Sequence, residues 1–76
     1  MQFKQYDVVK IKNFTTKKRK RGDVFNKRSP KVGDVATIVE LYKDPLGYEL
    51  ECCGANGITE WLIAFQPNEV ELELIN

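Results

Sequence analysis

Along YDVVKIK, residues 6–12, apolar and cationic positions alternate: Val9 and Ile11 fall on one face, Lys10 and Lys12 on the other. A period of two in a run rich in β-branched residues predicts a strand. The alternation returns in YELEC (48–52), with Tyr48, Leu50 and Cys52 inward and Glu49 and Glu51 outward. It returns again in VELEL (70–74), with Val70, Leu72 and Leu74 inward. KVGDVATIVELY (31–42) opens on a Gly33–Asp34 turn signal and carries apolar residues at both parities. That pattern fits a strand buried on both sides or bent by a bulge. ITEWLIAF (58–65) completes five short strands, and DPLG (44–47), CGANG (53–57) and QPNEV (66–70) supply the turns between them. Glu71 and Glu73 on a solvent face are also the charged edge protection that β proteins use against aggregation. The pattern predicts an all-β fold, a single small barrel or sandwich with no helix.

Residues 13–31 break the rhythm. Only Phe14, Val24 and Phe25 interrupt a polar, basic stretch that runs to Pro30. A nineteen-residue connection is long for a compact domain, and loops of that length tend to be functional or disordered. Phe14 and the Val24–Phe25 pair are candidates to pin its ends to the rest of the fold.

Composition changes this picture in two ways. With 76 residues there is one domain, which buries only about 60% of its unfolded surface and must use its core economically. The longest apolar run, WLIAF at 61–65, is far short of the roughly 20 residues that cross a bilayer as a helix. No secretory leader is recognisable, so the expectation is a soluble, cytoplasmic protein without a membrane partner.

The second change is electrostatic. The formal charge of +1 conceals a division. Residues 1–31 hold eleven Lys or Arg against Asp7 and Asp23, a balance of +9, while residues 32–76 hold Lys43 against nine acids, a balance of −8. Such asymmetry points to an electrostatic task, or to self-association between oppositely charged halves.

Candidate chemistry is sparse. The chain has no histidine, its single serine (Ser29) sits beside Pro30, and no glycine-rich phosphate loop is present. The pairs Glu49/Glu51 and Glu71/Glu73 are alternate strand positions facing solvent. Adjacent Cys52 and Cys53 point to opposite faces of a strand, so a mutual disulfide demands strained geometry. Two thiols without histidine make a poor zinc site. The expectation is therefore no enzyme, no cofactor and no metal.

What remains is the basic loop. Lys17, Lys18, Arg19, Lys20, Arg21, Lys27, Arg28 and Lys31 place eight cations within fifteen residues. They are the candidate contacts for an acidic protein surface or for phosphates. Aromatic residues that could form a binding rim or stack on bases are Phe25, Tyr42, Tyr48 and Trp61, with Tyr6 a further rim candidate. The competing reading of Trp61 is a core plug for a small barrel.

The matching pieces Tyr6–Asp7–Val8–Val9, Pro30, Val32–Gly33–Asp34–Val35, Thr37–Ile38–Val39, Tyr48, Glu49, Glu51, Gly57, Trp61–Leu62 and Glu69–Val70–Glu71 resemble SH3-like barrel proteins. More closely, they resemble a bacterial family of small proteins of that fold with no assigned function. The resemblance covers residues 6–12 and 30–74, and Ala36 stands where the family pattern commonly has glycine. It implies a five-stranded SH3-like barrel with a long basic loop between the first two strands. It implies no activity, since shared fold does not transfer function. The Gly-Asp-Val and Thr-Ile-Val pieces also resemble KOW-type translation and transcription modules, which bind RNA or polymerase. Together these readings predict a non-enzymatic module docking on a protein partner through the 13–31 loop and barrel rim. The alternative is a nucleic-acid binder that uses the same loop on phosphates.

Overall fold

The computed structural model describes residues 3–15 and 27–75. Five strands are present: β1 (Val8–Phe14), β2 (Val35–Lys43), β3 (Leu46–Cys53), β4 (Thr59–Phe65) and β5 (Val70–Leu74). All neighbours pair antiparallel in one sheet ordered β4-β3-β2-β1-β5. The all-β expectation holds, but the pairing leaves β4 and β5 as outer strands, so strand pairing does not close the sheet. Among the described residues no helix is long and apolar enough to cross a membrane.

Alternation determines which side chains enter the core. Val9 and Ile11 of β1, Leu50 of β3 and Trp61 of β4 are fully buried, as is Ile38 of β2. Tyr48 and Cys52 join them from β3, Phe65 from β4 and Val70 from β5. Trp61 meets Phe65 edge-on at 6.3 Å between ring centroids, a geometry favoured by the ring quadrupoles. Phe14 packs against Phe65 from the end of β1, with centroids 6.1 Å apart.

Both parities of β2 are apolar because the strand is bulged. Its register against β3 shifts between Ile38 and Glu40, so the inward face changes parity at Val39. Ile38 is buried before the shift, whereas Leu41 and Tyr42 are exposed after it. A second bulge, between Ile11 and Asn13, bends β1 where it runs along β5. Bulges of this kind increase local twist and let a small sheet curl over its own core.

The starts of β2 and β3 and the placement of Leu74 differ from the sequence expectation. β2 begins at Val35 rather than Lys31, because residues 31–34 form a turn in which the Asp34 amide donates to the Lys31 carbonyl at 3.1 Å. Gly33 adopts φ 97° in that turn, a conformation glycine takes without steric cost. β3 begins at Leu46, so the β2–β3 turn is Asp44–Pro45 alone, with a cis peptide. Leu74 is 48% exposed rather than inward: it is the last residue of β5, beyond the buried cluster that Val70 joins at the start of the strand.

Candidate functional site

The basic stretch leaves and rejoins the sheet at two fixed points. At its start the Thr15 amide donates to the Glu69 carbonyl at 3.0 Å, and the Thr15 hydroxyl donates to the Asn68 carbonyl. These bonds extend the β1–β5 ladder into the 66–69 turn. That turn is held by the Glu69 amide on the Gln66 carbonyl and by the Gln66 amide on the Glu69 carboxylate, each at 2.9 Å. At its far end the Lys27 amide donates to the Glu60 carbonyl on β4 at 2.8 Å.

Arg28 secures this second anchor. Its guanidinium donates through Nη1 and Nη2 to the two Asp34 oxygens at 2.9 and 3.1 Å. Its Nε donates to Glu60 Oε1 at 2.6 Å. The remaining donors reach the Ser29 carbonyl at 3.1 Å and Cys52 Sγ at 3.6 Å. A planar fork with five donors suits such a task, whereas a lysine ammonium could not serve two carboxylates bidentately. Glu60 has room for its carboxylate because residue 54 is glycine: a Cβ there would stand 2.6 Å from Glu60 Oε2.

Asp34 is the acceptor that gathers the rest. Beyond Arg28 it receives the Lys31 amide at 2.8 Å and the Trp61 indole N–H at 3.0 Å, both on Oδ2. Its side chain is only 12% exposed. Burial alone would push its carboxyl up, but the Arg28, Lys31 and Trp61 hydrogen bonds outweigh this and hold it below the usual carboxylate range. The same pairing, to Asp34 first and then Glu60, raises the Arg28 guanidinium further above its ordinary value.

Cys52 lies under this network. Burial and then the Asp34 charge push its thiol up, against the opposing effect of Arg28, which removes it from nucleophilic chemistry at neutral pH. Cys53 is exposed and both cysteines are free. A thiol reagent under native conditions is expected to modify Cys53 quickly and Cys52 only as the chain opens, slower by roughly two orders of magnitude or more. Mass spectrometry of the labelled chain checks this, and equal rates would contradict the burial of Cys52.

The sequence candidates thus separate into groups. Lys17, Lys18, Arg19, Lys20, Arg21 and Phe25 lie outside the described residues. Lys27, Arg28 and Lys31 come together at the anchor, but Arg28 is committed inward. Among the described residues it makes both ion pairs, so it is a clamp rather than a free contact for a ligand. Of the aromatics, Trp61 is fully buried with its N–H satisfied, and Tyr48 is buried beside Phe3 at a ring distance of 5.7 Å. Trp61 offers no face to a ligand, and Tyr48 offers only the small surface that lines an open cavity. Tyr42 is 41% exposed, and its hydroxyl donates to Glu49. That bond raises the Tyr42 phenol above its ordinary value.

Asp34 and Glu60, the residues that hold the anchor, were not among the sequence candidates. The Gly33–Asp34 pair reads as a turn signal, which it is, and nothing in local spacing shows that its carboxylate reaches Trp61. Comparison with known proteins adds no relative: no family model, no curated protein and no solved structure matches the chain at a significant level.

Proposed function

We propose that this chain is an SH3-like module that docks on a protein partner, with the basic segment and the adjoining rim of the sheet as its contact surface. The strand order, in which the last strand returns beside the first, supports the SH3-like reading. The observation that carries docking is the placement of charge. The described residues hold seven Lys or Arg and ten acids, a balance of −3. Residues 16–26 hold five Lys or Arg against Asp23, a balance of +4. The cationic segment therefore springs from an otherwise acidic body and is fastened at both ends, by Thr15 and by Lys27–Arg28. Segregated charge steers encounter with a complementary surface and fixes its orientation.

A nucleic-acid ligand is the second reading, favoured by the same five cations. Against it stand the burial of Trp61 and Tyr48, which removes two stacking platforms, and the acidic body, which repels a polyanion. The test is a titration with labelled single- and double-stranded oligonucleotides, using wild type and a variant with Lys17 through Arg21 changed to serine. Docking on protein predicts oligonucleotide binding at low salt only. It also predicts capture of one partner that excess polyanion does not displace and that the serine variant loses. Five phosphate contacts on duplex DNA would weaken with roughly the 4.5th power of salt. Micromolar binding that persists near physiological salt and disappears in the variant would reverse the assignment.

A further inference from the structure

The outer edge of β5 is an open strand. The Ile75 amide donates to the Val8 carbonyl at 2.8 Å, and the Thr15 amide to the Glu69 carbonyl. On the opposite side of β1, the Ile11 amide and carbonyl bond to Asp34 and Gly33 of the 31–34 turn. In an antiparallel ladder hydrogen-bonded pairs alternate with non-bonded ones. With Val9 opposite Leu74 and Ile11 opposite Leu72, the amides and carbonyls of Leu72 and Leu74 therefore point away from β1. Among the described residues no other strand takes them, because β5 ends the sheet.

The side chains along this edge form two rows. Glu71 and Glu73 are exposed on one face. On the other, Leu72 is half-buried and Leu74 is about half exposed. Beside them lies an open cavity of about 450 Å³ walled mainly by Phe3, Tyr48, Pro67, Val70 and Leu72, with Lys12 and Glu71 at its charged side. Free backbone donors and acceptors next to an apolar cavity are the elements of strand addition, in which main-chain bonds give affinity and alternate side chains give specificity.

The glutamates decide the occupant. A second copy pairing antiparallel through its own β5 sets Glu71 against Glu73 when Leu72 stands opposite Leu72, and Glu73 against Glu73 when Leu72 stands opposite Leu74. Like charges directly opposite one another destabilise a sheet. A strand with Lys or Arg at alternate positions has the opposite sign at both sites. β5 already accepts such a strand on its inner edge: Val9-Lys10-Ile11-Lys12 of β1, where Lys10 stands opposite Glu73.

We propose that the free edge of β5, with the cavity beside it, binds an extended segment of a partner protein whose residues alternate between apolar and cationic. The same glutamates that prevent pairing between copies then select the partner. The proposal concerns β5 and its cavity alone, so it stands or falls independently of the docking reading above.

The probes are two capped, labelled heptapeptides, Thr-Val-Lys-Val-Lys-Val-Thr and the same sequence with glutamate for lysine. They are titrated into the full chain by fluorescence anisotropy, with amide hydrogen exchange read by NMR. The lysine peptide is expected to bind at least about tenfold more tightly than the glutamate peptide and to slow exchange at Leu72 and Leu74. Leu74→Pro removes one outward donor while leaving the ladder to β1 intact, and should weaken binding by about tenfold. Glu71→Lys with Glu73→Lys should invert the peptide preference, and this variant decides the matter if Leu74→Pro does not fold. Equal binding of the two peptides, unchanged exchange at Leu72 and Leu74, or a preference that survives the charge reversal would overturn the proposal.

Discussion

Trp61→Ala is expected to remove a large share of the stability of the fold at room temperature. Trp61 is the largest of the fully buried side chains, and it both fills the core and donates its indole N–H to Asp34. Truncating a buried tryptophan to alanine costs about 3–5 kcal/mol, through lost transfer energy and the cavity left behind. A domain of this size has a total stability on the order of 4–11 kcal/mol. The loss would therefore consume a large share of what holds the fold together, and the missing hydrogen bond to Asp34, which keeps Arg28 and the Lys31 amide, adds to it. Trp61→Phe separates the two contributions. It retains a ring to meet Phe65 but has no N–H, and should cost about half as much. Urea denaturation followed by circular dichroism measures both variants. A Trp61→Ala protein losing less than about 1 kcal/mol would mean that the indole is not a core element.

Asp34→Ala is expected to cost about 2–4 kcal/mol and to release the Lys27–Lys31 anchor with it. Hydrogen bonds to a charged group contribute about 1.5–3 kcal/mol each, but those on one carboxylate are not additive. Arg28 is about one-third exposed and keeps Glu60, so the penalty falls short of that for an isolated buried charge. Asp34→Asn, which retains an acceptor oxygen but not the charge, should cost roughly half as much. The sign of the pH dependence follows from the direction of the Asp34 shift. Its carboxyl is held below the unfolded value, near 3.9. The stabilisation it provides is thus fully present above about pH 4 and is lost as pH falls through the folded-state value. In Asp34→Asn this acid-dependent increment should vanish. Trp61 is the single tryptophan and touches the titrating carboxylate, so its fluorescence reports the transition directly. A wild-type and Asp34→Asn pair with identical acid unfolding curves would remove Asp34 from the account.

The strands were legible because each has one buried face, and a period of two exposes that face to inspection. Val9/Ile11 and Tyr48/Leu50/Cys52 were assigned inward from alternation alone, and they are buried. Mixed parity in 31–42 correctly signalled a bend, although it could not place the bulge at Val39. Leu74 was assigned inward because alternation does not show where along a strand the core ends, and on β5 burial falls from Val70 through Leu72 to Leu74. The anchor was not legible for a different reason. Arg28, Asp34, Cys52 and Glu60 are separated by 6 to 32 positions, and their meeting depends on how β2, β3 and β4 stack. Counting cations therefore treated Arg28 as one more free charge of the basic run. What distinguishes it is a pair of carboxylates contributed by other parts of the chain.

The pairing of β1 with β5 also has a bearing on synthesis. On a ribosome β1 emerges before the other described strands and β5 after them, with Val8 far ahead in sequence of the Ile75 it pairs with. Hairpins β2–β3 and β3–β4 can form as they appear, because their partners are close in sequence. β1 must wait with one side unsatisfied until β5 arrives, and contacts of such long separation make folding slow among domains of similar size. Between the synthesis of β1 and that of β5, a strand of alternating valine, lysine and isoleucine thus stands exposed along one edge. The cations at Lys10 and Lys12 then serve as solubilising guards during that interval, before Glu71 and Glu73 have been made to meet them.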